Sequence, residues 1–466
     1  MADWHSHRKS DTLPDEVDIN PLFTRSGEKS VPRFRMRDQG MLPATAYQIV
    51  HDEVSLDGNA RLNLATFVTT WMEPEATSLY VETMDKNMVD KDEFPHTAAI
   101  EDRCIHILAD LWHSPHPHST VGVSTTGSSE ACMLAGLAFK RKWQIARRAQ
   151  GKSTDRPNIV FSSAVQVVWE KFANYWDVEA RYVNFTPEKP YLSPEGVIAA
   201  VDENTIGVVP ILGNTYTGLN DPVAAIASAL DEFQSRTGLD IPIHVDAASG
   251  GFIAPFLKPD LQWDFRLPRV HSINTSGHKY GLVYPGLGWV VWRDRTALPE
   301  ELIFRVSYLG GDMPTFSLNF SRPGAQVLLQ YYNFLRLGRE GYYKVQKASQ
   351  AVAHLLARSI AKMGIFTLFS DGTDIPVLSW RLNHDHDGKW DLYHLSQKLR
   401  EHGWQVPAYP LPAIMEDVTI MRVVVRNGMS VDLAHLFLED LKQSVAYLEA
   451  LDSPMPSETA GSHFHH

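Results

Sequence analysis

Hydrophobic positions along the chain change period several times, and each change marks an element. Residues 97–112, TAAIEDRCIHILADLW, place Ile100, Cys104, Ile107, Leu108 and Leu111 at helical spacing and predict an amphipathic helix. VGVSTTGSSEACMLAGLAFKRKW then reads as a short strand, a Gly/Ser turn and a helix. Strand and helix patterns alternate from there: NIVFSS before VQVVWEKFANYW, TIGVVPIL before DPVAAIASALDEFQSR, then IPIHVDAA, VHSINTS and GLGWVVW. Such alternation predicts an α/β fold with a large, mostly parallel sheet covered on both faces. Beyond about residue 345 a smaller α/β unit begins. It reads as helix (KVQKASQAVAHLLARSIAKMG), strand (PVLSWRL), helix (WDLYHLSQKLREHG, closed by Gly403) and strand (VTIMRVVVR). A last helix over about 431–450 carries Leu433, Leu436, Phe437, Leu441 and Leu448 on one face. The expected domains are a polar N-terminal segment (1–60), a large domain (61–345), a small domain (346–451) and an aperiodic tail (452–466).

Composition narrows the function classes. Apolar residues make up 44% of the 466 positions and charged residues 21%, as expected of a packed soluble protein. No run is long and apolar enough to span a membrane, and MADWHSHRKSDTLPDEVD has no apolar core of a signal peptide. The net charge of -12 speaks against nucleic acid, and the basic run Lys140–Trp143 with Arg147 and Arg148 reads as a solvated helix face. The two cysteines, Cys104 and Cys132, fall in buried helical patterns and imply a reducing cytoplasm. Metal-binding spacings are absent, and the histidines of HSPHPHS sit in a proline-rich loop unsuited to a fixed ligand cage.

Four features carry candidate chemistry. TTGSSEA opens a helix after a strand, and Gly127, Ser128 and Ser129 there suit an anion, or else an ordinary serine cap. Asp246 ends the strand of HVDAASGGF, where ligands bind in open α/β sheets; a turn aspartate is the alternative. Lys279 in SGHKYG is a nucleophile if its amine is kept neutral, and otherwise a surface lysine. Gln166 begins a helix in the same topological place as the Gly/Ser turn. Phosphate site, carboxylate and lysine together describe pyridoxal 5'-phosphate: an anion site for its phosphate, a carboxylate for its ring nitrogen and an amine for its aldehyde.

The strings NLATFVTTWMEP, VDKDEFPHTAAIE, TGSSEACMLAGLA, QVVWEKFANYWDVE, HVDAASGGFIAPF, SGHKYGLVYPGLGWVVWR, YLGG, NFSRPGAQ and GWQVPAYPLP resemble the bacterial and plant glutamate decarboxylases. These belong to group II of the fold-type I pyridoxal-phosphate decarboxylases, built like aspartate aminotransferase. The resemblance runs from about residue 63 to 429. It implies that Lys279 bonds the cofactor's aldehyde carbon and that Asp246 pairs with the ring nitrogen. Ser128 and Ser129 would bind the phosphate with Ser276 and His278, and Ser321 would reach the phosphate of the neighbouring subunit. Gln166 and Ala248 would flank the ring, and Thr215 would contact its polar edge.

For substrate, the resemblance implies Arg426 on the α-carboxylate of L-glutamate, as a bidentate cation. Thr66 and Phe67, with Asn87 and Asp90 from the partner chain, would receive the distal carboxylate. Two carboxylates in one pocket share a proton, so binding should tighten in acid. The products would be 4-aminobutanoate (GABA) and CO2, one proton would be consumed, and a part in acid resistance follows. Lys279 and Tyr308 are the candidate proton donors to Cα. His465 matches a C-terminal histidine that closes the site at neutral pH in bacterial relatives. WHSHRKS lacks the acidic amphipathic pattern of hexamer-forming relatives, and the tail lacks the basic Trp-containing calmodulin site of plant ones. A homodimer at least is expected. A decarboxylase for another amino acid, an aminotransferase and a non-catalytic cofactor-binding protein are the rival readings. Thr66, Asn87, Asp90 and Arg426 favour a dicarboxylic acid; Lys279 and Asp246 favour turnover.

Overall fold

A computed structural model describes residues 34–186, 189–306, 313–386 and 388–455. Residues up to Asn59 form one unit, in which α1 (Pro43–Val54) starts with proline in its first turn. The unit from Ala60 onward holds all the other elements. Its helices are α2 (Pro74–Thr83), α3 (Pro95–Leu111), α4 (Ser128–Ala149), α5 (Val167–Tyr175), α6 (Pro194–Ala200), α7 (Val223–Thr237), α8 (Ala254–Leu257), α9 (Ala325–Ala361), α10 (Leu392–Glu401) and α11 (Val431–Glu449).

Its large sheet contains β1 (Val121–Thr125), β2 (Asn158–Ser162), β3 (Glu179–Val183), β4 (Thr205–Val209), β5 (Ile243–Asp246), β6 (Val270–Thr275) and β7 (Gly288–Trp292). The strand order is β1-β7-β6-β5-β4-β2-β3, and β7 alone runs against the rest. Both faces are covered, as the unbroken apolar runs of β2, β4 and β7 require. Ile159, Phe161 and Val209 face the side packed by α4 and α5, while Val160, Val208 and Val245 enter a core shared with α3, α6 and α7. The side-chain period of two therefore builds two cores from one sheet.

A short pair, β8 (Phe304–Val306) and β9 (Met313–Thr315), follows. The second sheet has the order β10-β11-β13-β12, from β10 (Phe366–Asp371), β11 (Val377–Leu382), β12 (Ala408–Pro410) and β13 (Thr419–Val424). It shares a core with α10, α11 and the later part of α9. Residue 345, where a smaller unit is expected to begin, falls within α9, inside the single unit that starts at Ala60; α9 is broken at Gly338, whose φ of 58° is one that glycine adopts without steric cost. Gly403, with φ 87°, ends α10 as its sequence position predicted.

Two readings are corrected. The chain pattern marked no strand at 179–183, because β3 is an edge strand whose side chains are mostly not buried. The apolar face of α11 is Ala434, Phe437, Leu438, Leu441, Val445 and Leu448; Leu436 is exposed, about 100° round the helix from Phe437 and off that stripe.

Buried Asp221 ties down the chain that leaves β4: its two oxygens accept the N–H groups of Leu192 and Ile211, both at 2.7 Å. Burial pushes its carboxyl up to about 6, against the opposing pull of those two N–H groups. The folded protein then holds a proton that the unfolded chain releases at its ordinary value of 3.8, so this stability is present below that value and lost as pH rises through about 6. Asp221→Asn is expected to flatten the stability difference between the two ends of that window by on the order of 3 kcal/mol. Chemical denaturation of both proteins at each end of the window checks it.

Candidate active site

The parallel direction of β1, β2, β4, β5 and β6 brings the ends of all five strands to one edge of the sheet. The loops leaving them line a cavity of about 320 Å³. Gly127, Ser128 and Ser129 come from the β1–α4 turn, Gln166 from the β2–α5 turn and Thr215 from the segment after β4. Asp246, Ala248 and Ser249 follow β5, and Ser276, His278 and Lys279 follow β6. Ten residues named from the sequence thus meet in one place: Gly127, Ser128, Ser129, Gln166, Thr215, Asp246, Ala248, Ser276, His278 and Lys279.

The Gly/Ser turn is more than a serine cap. Gly127 occupies the cap position of the 22-residue helix α4, and no side chain caps it. The Ser128 hydroxyl instead meets that of Ser276 at 2.7 Å, which joins the two loops. Orphan N–H groups, the helix dipole and these hydroxyls could together hold an anion. A Cβ on Gly288 of β7 would come within 2.4 Å of the Gly127 backbone, so glycine is what lets the strand support the turn. The imidazole Nδ1 of His278 accepts the Leu287 N–H at 3.1 Å, which leaves a proton on Nε2. Burial and the neighbouring Lys279 charge push it down to about 4, so it is a neutral donor near neutral pH. Gln166 caps α5 through its own side chain, accepting the Val168 N–H at 2.6 Å.

Lys279 reaches Ser249 Oγ at 3.4 Å, and its ammonium position lies 5.0 Å from the centre of the Phe67 ring. Burial lowers its proton affinity, and the charge of Arg422 adds to this against the opposing pull of Asp246. Asp246 is 3% exposed. Its Oδ1 accepts from Asn274 Nδ2 and the Ala248 N–H, both at 3.1 Å; its Oδ2 accepts from Trp169 Nε1 at 2.9 Å and the Cys132 thiol at 3.6 Å. An amine whose proton affinity burial lowers, a carboxyl group ringed by donors and an anion-suited turn around one cavity fit pyridoxal 5'-phosphate.

The segment 63–70 forms a wall beside this cavity. Thr69 ties it to the lysine segment through its N–H to His278 O and its hydroxyl to Lys279 O, each at 2.7 Å. Arg426, expected to hold a substrate carboxylate, is a clamp on this wall instead. Its terminal nitrogens donate to Val68 O (2.6 Å), Thr70 Oγ1 (3.2 Å), Ala60 O (2.9 Å) and Asn63 O (2.7 Å). A guanidinium with both terminal nitrogens doubly bonded has no fork left for a ligand. Arg422, four residues earlier and within β13, lies 5.0 Å from the same Phe67 ring as Lys279. It donates to Thr215 O and Ala65 O, and its buried Nε has no hydrogen-bond partner among the described residues. The sequence held a signal for it: a lone arginine inside the run TIMRVVV must be paired if that strand is buried.

Asn87, Asp90 and Ser321 do not line the cavity of their own chain. They cluster together elsewhere: Asn87 Nδ2 donates to Ser321 Oγ at 3.2 Å, and the Asp90 N–H donates to Asn87 O at 3.2 Å. Thr66 lies in the wall, where its Oγ1 accepts the Val68 N–H at 3.2 Å. Tyr308 and His465 lie outside the described residues. Among the described residues no group of side chains is placed to hold a metal, and no helix is long and apolar enough to cross a membrane.

Comparison with known proteins agrees with this geometry. Residues 35–383 match the pyridoxal-dependent decarboxylase conserved domain. Glutamate decarboxylase of Aliivibrio fischeri is 54% identical over 419 residues, 90% of each chain. Glutamate decarboxylase beta of Listeria monocytogenes is 49% identical over 435 residues, covering 92% of this chain and 93% of the other. The structure of Lactobacillus brevis glutamate decarboxylase superimposes with a TM-score of 0.89 at 48% identity, over 92% of this chain and 98% of that one. The fold is that of the fold-type I decarboxylases, and the protein is an enzyme that uses pyridoxal 5'-phosphate. The chain belongs to the pyridoxal-dependent decarboxylase family, alongside the bacterial glutamate decarboxylases it matches over nine-tenths of its length.

Proposed function

We propose that the enzyme decarboxylates L-glutamate at Cα, giving 4-aminobutanoate and CO2. The bond from Cα to its carboxylate breaks, CO2 leaves, and the electron pair left on Cα takes up one proton. The observation that carries this reading is the Lys279 amine and the Arg422 guanidinium beside one Phe67 ring, each 5.0 Å from its centre. One binds the cofactor; the other meets the α-carboxylate. The names of relatives at 47–54% identity supply glutamate rather than another amino acid.

When bound, pyridoxal 5'-phosphate supplies a sink for the electron pair released at Cα. Asp246 would keep a proton on the ring nitrogen, and Gly127, Ser128, Ser129, Ser276 and His278 would hold the phosphate. Gln166 and Ala248 would flank the ring, and Thr215 would meet its polar edge. Arg422 orients the α-carboxylate, and Phe67 keeps water from the reacting carbon. Lys279 Nζ or the Tyr308 hydroxyl returns the proton to Cα. Asn87, Asp90 and Ser321 serve the active site of a second copy, which makes the functional unit a homodimer at least. Their clustering away from their own cavity supports that reading. In the partner's site Asp90, with Thr66 and Phe67 there, shares a proton with the distal carboxylate, so acid favours binding.

Release of CO2 from a panel of amino acids at several pH values tests substrate and pH together. Glutamate alone should turn over, best in acid; turnover of an aromatic amino acid, or none of glutamate, would refute the proposal. Arg422→Lys should lower kcat/KM about 10²-fold, by loss of a charged two-point contact. Arg426→Lys should chiefly lower stability, because it loses main-chain bonds. The reverse pattern would restore Arg426 as the ligand. The reaction takes up a proton, which suits a cytoplasmic role in acid resistance. His465 acts as a stopper at neutral pH in this reading. Removing residues 452–466 is expected to extend activity toward neutral pH, and an unshifted profile counts against it.

A further inference from the structure

Asp246 ends a polar ladder that runs between two neighbouring strands of the large sheet. Strands β5 and β6 are parallel, and their register pairs His244 with Ser272 and Asp246 with Asn274. The alternation HxD on one strand and SxN on the next therefore sets four polar side chains on one face of the sheet. All four are buried: His244, Ser272 and Asn274 are 0% exposed and Asp246 is 3% exposed. They form a chain of bonds. Ser272 Oγ meets His244 Nδ1 at 2.8 Å, His244 Nε2 meets Asn274 Oδ1 at 2.8 Å, and Asn274 Nδ2 meets Asp246 Oδ1 at 3.1 Å.

Each bond fixes the next. An amide facing both a carboxylate and an imidazole must give its N–H to the carboxylate, so its oxygen faces the imidazole. That oxygen needs a donor, which puts the histidine proton on Nε2. Nδ1 is then an acceptor, and the Ser272 hydroxyl supplies the donor. We propose that His244 is a positioning residue for the cofactor: through Asn274 it locks the amide in the one orientation that donates to Asp246. The carboxylate then meets only donors (Asn274, Ala248 N–H, Trp169 and the thiol of Cys132) and has no acceptor to which it could give a proton of its own. A group so surrounded is an acceptor for the protonated ring nitrogen and not a proton donor to it. Trp169 and Phe139 pack on the imidazole at 5.3 and 6.4 Å between ring centres, which holds its plane. Burial pushes the imidazole down to about 4, so it stays neutral, as this chain of bonds requires.

This inference rests on Asp246 being the partner of the ring nitrogen. The test uses holoenzyme loaded with cofactor labelled with ¹⁵N in its ring. The nitrogen shift reports protonation directly, and the cofactor dissociation constant is measured alongside. Wild type and His244→Gln should both show a protonated ring nitrogen, since the glutamine amide can still donate to Asn274 and accept from Ser272. His244→Phe keeps the ring shape and removes the donor. It should move the shift toward the unprotonated position and weaken cofactor binding about tenfold or more. Asn274→Leu should do the same, and the double variant should add nothing to it. A wild-type shift in His244→Phe, or additive effects in the double variant, would overturn the proposal. An unprotonated nitrogen in wild type would instead refute the Asp246 reading, and the proposal with it. Should the phenylalanine variant not fold, long-range ¹H–¹⁵N correlation of histidine-labelled wild type decides. His244 must be neutral with its proton on Nε2, and the opposite tautomer would sink the idea.

Discussion

Replacing Lys279 with alanine is expected to cut glutamate turnover about 10³-fold or more while the protein still folds. The amine stands in the cavity with a single hydroxyl, Ser249 Oγ at 3.4 Å, as its side-chain hydrogen-bond partner. Burial first, and then the charge of Arg422, lower its proton affinity. A neutral amine is what attack on an aldehyde needs, and among the described residues no other lysine lines this cavity. Alanine removes the nucleophile and the covalent hold on the cofactor, which dialysis should then strip away. Lys279→Arg should fail equally, because a guanidinium stays charged at any working pH. The stability readout separates this from general damage. A lysine whose proton affinity falls on folding costs stability wherever the unfolded amine is charged, and that cost fades only as pH rises toward the unfolded value. Cofactor-free Lys279→Ala should therefore be at least as stable as the cofactor-free parent at neutral pH. Retained turnover would remove Lys279 from its role; a lower unfolding midpoint would show that its loss acts through the fold.

The residues that nucleate the site were legible because backbone rules place them. A strand that ends before a Gly/Ser turn and a helix forces Gly127, Ser128 and Ser129 to the sheet edge, and the same rule brings Asp246 and Lys279 there. What escaped the sequence depends on register and long-range packing. His244 and Ser272 read as incidental polar residues in apolar strands until the β5–β6 register pairs them. Trp169 reads as a core residue of α5, and only the packing of that helix on the sheet turns its indole N–H toward Asp246. The two arginines of MRVVVR show the limit most sharply. Both lie at even spacing on the same face of a strand pattern, so periodicity cannot rank them. Arg426 lies just past the end of β13, where the carbonyls of residues 60, 63 and 68 take up its donors. Arg422 lies within the strand, beside Phe67. The difference comes from a segment more than 350 positions away in the chain, as the separations of those bonds record.

Asp246→Asn is expected to cost about 10²-fold or more in kcat, with weaker cofactor binding, and the reason is the donor shell around the side chain. Aspartate meets Asn274 and the Ala248 N–H on one oxygen, and Trp169 and Cys132 on the other. Asparagine has nearly the same shape but must turn an NH2 toward one of those pairs. Either orientation sets donor against donor in a site that is 3% exposed. Each buried donor left unpaired costs about 1–3 kcal/mol, so the fold should weaken by that order as well. The kinetic loss has a separate origin. A neutral amide cannot hold the ring nitrogen in its protonated form, and an unprotonated ring is a poorer sink for the electron pair at Cα. Asp246→Glu divides the two effects. It keeps the charge but adds a methylene to a packed shell, an overpacking that costs about 1–3 kcal/mol. The glutamate variant should therefore lose stability comparably yet keep more turnover than the asparagine variant when both are assayed well below their unfolding midpoints. Equal kinetic losses would mean that the position, not the charge, is what the reaction needs. A loss under tenfold in Asp246→Asn with normal cofactor binding would remove Asp246 from the ring nitrogen altogether.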